Sequence, residues 1–128
     1  MVTEIGPEEH RRLAIALNQR TWQLLETAER SLADDEEMVD AAHGSAYHWR
    51  YAEGASAVHQ ARGAWLISRV YAVLGRGEEA RRHAERGLAI CTEYVIGDYD
   101  FAYAHEALAR LSVDAHEMWA PAHEDHDH

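Results

Sequence analysis

The 128-residue chain is long enough for one domain with its own core, and its 47% hydrophobic content is that of a folded globular protein. A formal net charge of −11 sets it against nucleic-acid binding and against attraction to an anionic membrane, since both need a basic face. Lysine is absent and Cys91 is the single cysteine, which excludes lysine Schiff-base and P-loop chemistry, an intrachain disulfide and a cysteine-rich zinc site.

The first predicted helix starts at Gly6-Pro7-Glu8-Glu9, with proline at its first position and acids in its first turn. Leu13, Leu17, Leu24 and Ala28 repeat at helical spacing and carry it over residues 7–31. Asp34-Asp35-Glu36-Glu37 caps a second helix that runs to Glu53 and stops at Gly54. Ser56 N-caps a third, which reaches Leu74 and ends at Gly75. Glu78-Glu79 opens a fourth that ends near Val95, and Cys91 sits on it among Leu88, Ile90 and Val95 as a buried structural thiol. Asp98 or Asp100 caps a fifth, which continues to Trp119 and stops at Pro121. The expectation is an all-α fold of about five antiparallel helices in one domain over residues 1–120, followed by a disordered histidine- and acid-rich tail over 121–128. The opening MVTEIGPEEH has no basic start before an apolar run, and no stretch reaches the ~18 apolar residues of a membrane span, so a cytoplasmic location is expected.

Within the third and fourth helices, AWLISRVYAVLGRGEEARRHAERGLAI resembles a tetratricopeptide repeat, a helix–turn–helix unit of about 34 residues. Ile67-Ser68 match the family's apolar-then-small pair, Tyr71 its first-helix tyrosine and Leu74-Gly75 its turn. Ala80 matches the small residue where the second helix comes close, and Leu88 follows in the second-helix pattern. The chain departs from the family at Gly77, Ala84, Gly87 and Thr92, and the resemblance covers residues 61–92. FAYAHEALARLS resembles the first helix of a further repeat, with Ser112 in place of the tyrosine.

The resemblance implies helical hairpins in a short right-handed array or bundle, with the first helix of each unit lining a groove. Carried over, Arg62, Trp65 and Arg69 face that groove together with Tyr103, Glu106 and Arg110 from the fifth helix, and His43 and Tyr47 stand at its edge. Arginine forks beside aromatic rings suit a carboxylate, a phosphate or a peptide C-terminus, so the implied ligand is a peptide or protein segment or a small anion. The alternative for the same residues is that Trp65 packs in the core and the arginines pair with local acids. A short array leaves the fifth helix without a partner, and a homodimer would cover its exposed side, which carries some of Phe101, Leu108, Leu111, Val113, Met118 and Trp119.

The stretch AAHGSAYHWRYAEGASAVH, residues 41–59, holds three histidines. If the second and third helices form a hairpin turning at Gly54, residues whose numbers sum to about 107 or 108 meet, which sets His48 beside His59 and His43 beside Trp65. His48 shares a face with the small residues Ala41, Gly44, Ser45 and Ala52, which admit a close helix. It is expected to be buried and bonded to His59, to a backbone carbonyl or to Tyr51. Asp40, His43, Tyr47 and Arg50 make a polar stripe in which Asp40 can orient His43. The alternative function is therefore a histidine–carboxylate metal site or metalloenzyme holding zinc or iron at His43, His48, His59 and His105. No HExxH or paired ExxH occurs, and no serine has a GxSxG or SxxK context, so no catalytic residue is assigned. The tail histidines His123, His126 and His128 bind metals weakly whatever the fold does.

Overall fold

A computed structural model describes residues 4–94. They form four α-helices and no strand: α1 (Pro7–Leu25), α2 (Leu32–Trp49), α3 (Ala57–Val73) and α4 (Gly77–Tyr94). The expected fifth helix and tail, with Tyr103, His105, Glu106 and Arg110, lie outside the described residues.

Local sequence sets most helix ends. Pro7 and Glu8-Glu9 open α1 as expected. The helix stops at Leu25 instead of continuing to residue 31, although Ala28 continues the apolar repeat. The cause is the next helix start: Ser31 and Asp34 form a reciprocal capping box, each side chain bonding the other's backbone N–H at 3.1 Å. Arg30 fastens the junction, donating to the carbonyls of Leu24 and Thr27 and to Asp35 Oδ1 at 2.8 Å. Ser31→Ala is expected to cost about 1 kcal/mol and to lower the midpoint of a urea melt.

The second helix ends at Trp49, four residues before the expected Glu53, because the chain leaves it to reach Gly54, whose φ of +72° is left-handed backbone. That turn is tied to the start of α1: Glu53 N–H donates to the Pro7 carbonyl, and Arg11 donates to the Glu53 carbonyl, both at 3.0 Å. At the end of α3, Gly75 N–H bonds the Ala72 carbonyl and Arg76 N–H bonds the Tyr71 carbonyl at 2.8 Å, a Schellman motif with glycine in its left-handed position.

Each helix packs against the next along the chain: α1 on α2, α2 on α3, α3 on α4. The arrangement is compatible with a helical repeat. One core cluster joins Leu24, Met38, Ala42, Ile67, Val70, Tyr71, Ala80 and Ala84. A second joins Ala61, Trp65, Ile90 and Cys91, so Cys91 is a buried thiol. Alanine at Ala42, Ala80 and Ala84 keeps the helices close, and the buried hydroxyls find carbonyls. Ser45 Oγ donates to Ala14 O at 2.7 Å and Ser68 Oγ to Ala80 O at 2.8 Å, so each crosses a helix interface. No described helix is long and apolar enough to cross a membrane.

Candidate functional site

Among the described residues the histidines fall into three separate groups, each built where two or three helices meet. His10 ends the stripe of α1 that continues through buried Ala14, half-buried Leu17 and buried Thr21 and Leu24, and His48 ends the stripe of α2 through Met38, Ala41 and Ser45. Antiparallel packing brings these two stripe ends together. The Nδ1 atoms of His10 and His48 lie 2.8 Å apart, with ring centroids at 5.0 Å. Tyr47 packs 5.2 Å from His48, and Tyr51 5.3 Å from His10, both about half exposed. Burial, and then the His10 ring, pull the His48 pKa down.

His59 does a different job. Its Nδ1 accepts the Ser56 backbone N–H at 3.2 Å, so it completes the α3 capping box in the position usually held by glutamate or glutamine. Its ring stacks on Trp49 at 4.3 Å, and the Arg11 guanidinium covers the other ring of that pair at 5.3 Å from the Trp49 centroid. Burial lowers the His59 pKa, helped by Arg11 and Arg62.

In the third group, His43 Nε2 and the Tyr71 hydroxyl are 2.8 Å apart, His83 lies edge-on to His43 at 5.5 Å and is stacked on Tyr71 at 5.7 Å. Arg76 sits over the Tyr71 ring at 4.8 Å and is ion-paired with Glu79. Burial is the main cause that lowers both imidazole pKa values; Arg82 adds to it at each, and Asp40 opposes it at His43. Asp40 thus acts on His43 through its charge.

The expected His48–His59 and His43–Trp65 pairs do not form. Near the turn the expected register holds, since Trp49 opposite His59 sums to 108, but it is Trp49 that meets His59, and His48 is turned toward α1. Farther from the turn, His43 meets Tyr71. Trp65 is only 4% exposed and packs toward α4, against Gly87 and Cys91, so it forms core and not groove wall among the described residues. Arg62 is exposed and Arg69 half-buried on α3; Tyr47 is exposed beside His10 and His48. Among the described residues no group of three or more histidine, cysteine, aspartate or glutamate side chains is placed to hold a metal ion, and His43, His48 and His59 go to three different sets of neighbours.

Two contributors escaped the sequence reading. His10 was legible as the start of the α1 stripe, four residues before Ala14. His83 follows Ala80 by three residues and borders Ala84 on the buried face of α4, a signal that charged neighbours on both sides obscure. Comparison with family models, curated proteins and solved structures gives no significant match.

Proposed function

We propose that the chain is a small tetratricopeptide-like binding module that holds an anionic peptide or protein segment on the Arg62–Arg69 stripe of α3. The observation that carries this reading is the burial pattern of α3. From Ala61 to Tyr71 every residue is buried except Arg62, which is exposed, and Arg69, which is half-buried. Seven residues apart, they share one face about 10 Å apart along the helix axis. Two guanidinium forks at that spacing match carboxylates about three residues apart on an extended acidic segment, which rises about 3.3 Å per residue.

Tyr103, Glu106 and Arg110 complete the groove in this proposal, with His43 and Tyr47 at its margin, and residues 101–119 supply a homodimer contact. The test uses fluorescein-labelled acidic peptides. Arg62→Ala with Arg69→Ala is expected to weaken binding at least ~tenfold with helicity unchanged by circular dichroism. Equal affinity for the double variant overturns the proposal. A single-chain mass by light scattering at micromolar concentration overturns the dimer.

A further inference from the structure

The His10–His48 contact carries chemistry that neither the Arg62–Arg69 stripe nor the core uses. Two neutral imidazoles meet through Nδ1 atoms at 2.8 Å only when one nitrogen bears the proton and the other presents its lone pair. Moving that proton to Nε2 of the same ring leaves two lone pairs converging on one point between α1 and α2, with no net change in protonation.

We propose that His10 and His48 form a two-imidazole site for a late first-row divalent cation, zinc being the case tested, which clips α1 to α2 and leaves its remaining coordination positions to solvent. Tetrahedral zinc with Zn–N of about 2.0–2.1 Å holds two nitrogens about 3.3 Å apart, so the rings separate by about half an ångström and tilt from a head-on contact until both lone pairs meet the ion at about 109°. The side chains are half-buried, which keeps the site reachable.

Both backbones are held in place on either side of the pair. Ser45 Oγ is bonded to the Ala14 carbonyl at 2.7 Å on one side, and Glu53 N–H to the Pro7 carbonyl at 3.0 Å on the other. Tyr47 and Tyr51 flank the two imidazoles, with centroids 5.2 Å from His48 and 5.3 Å from His10. Little ordering is left to do on binding, which is the condition for useful affinity from two ligands. The nearest cation in sequence, Arg11, is directed away to Trp49 and the Glu53 carbonyl. A net charge of −11 favours cation approach.

The test uses the full chain with His123, His126 and His128 changed to Gln, so that the tail contributes no imidazoles. Zinc titration is expected to show one ion per chain and a rise in Tm of about 5 °C or more at saturating zinc. His10→Gln and His48→Gln should each weaken zinc binding at least ~tenfold and remove the rise, while His59→Gln should keep both. Imidazole nitrogen NMR on the same tail-substituted chain reads the site without touching it: zinc should shift two Nδ1 resonances and leave their Nε2 partners protonated. No zinc uptake by this chain, uptake indifferent to His10→Gln and His48→Gln, or shifts confined to other histidines would each overturn the proposal.

Discussion

Trp65→Ala is expected to cost about 3–5 kcal/mol, the largest effect of any single substitution considered, because the indole fills the space between α3 and α4 beside Ala61, Ile90 and Cys91. Its counterpart is Gly87. A methyl built at Gly87 would lie 2.5 Å from Trp65 Cδ1 and closer still to Nε1, so the ring must shift before alanine fits. Gly87→Ala gains about 1 kcal/mol in helix propensity but loses about 1–3 kcal/mol to overpacking. The packing cost wins because the ring is only 4% exposed. In the Trp65→Ala background the sign reverses, and Gly87→Ala becomes stabilising by about 1 kcal/mol. A double-mutant cycle by urea denaturation checks this. Additive effects would mean that the two residues do not constrain each other, and Trp65→Phe supplies a milder cycle if the alanine variant is too unstable to measure.

The second large effect is acid destabilisation. The folded pKa values of His43, His48, His59 and His83 are all lowered from 6.5, in each case chiefly by burial. The groups facing them are Arg82 and Asp40 at His43, His10 at His48, and Arg11 and Arg62 at His59. At His83 they are His43, Arg82, Arg86 and Glu79.

A base whose folded pKa lies below its unfolded value binds more protons when unfolded. Its stabilisation is therefore complete above pH 6.5 and lost as the pH falls through 6.5 toward the folded values. The four act in the same sense. Stability should therefore fall steadily between about pH 7.5 and pH 5, read as a declining midpoint of a urea melt. Glu9 and Glu37, held below 4.5 by hydrogen bonds from Arg12 and Arg20, add a separate loss only in stronger acid. His48→Gln should make the profile less steep; a stability constant from pH 7.5 to pH 5 would show that these imidazoles titrate alike in both states.

The contrast between His48 and Trp49 shows how far local information reaches. Three of the four helix starts are legible from short-range chemistry: Pro7 with its acids, Ser56, and Glu78-Glu79. The fourth, Ser31, was hidden because the Leu24–Ala28 repeat points onward while the capping box three residues later pulls the chain out of the helix. The small residues facing His48 also announced a close helix. They did not say which one. The approaching helix is α1, where Ser45 reaches the Ala14 carbonyl, and this contact turns His48 toward His10.

On an α-helix one residue is a rotation of about 100°, so a hairpin register known to within one residue leaves open which of two adjacent side chains is delivered. The expected partner of His59 was off by one residue along α2, and the chemistry changed from an imidazole pair to a stacked tryptophan. Helix class, three of the four helix starts and the burial of Cys91 follow from spacing and capping within about one turn, and these were readable in the chain alone. Which imidazoles touch, and that Trp65 belongs to the core while Arg62 and Arg69 remain at the surface, depends on how four helices rotate about their axes to bury alanines and serines against one another. That rotation is set by contacts between residues far apart in the chain, and only the tertiary structure contains them.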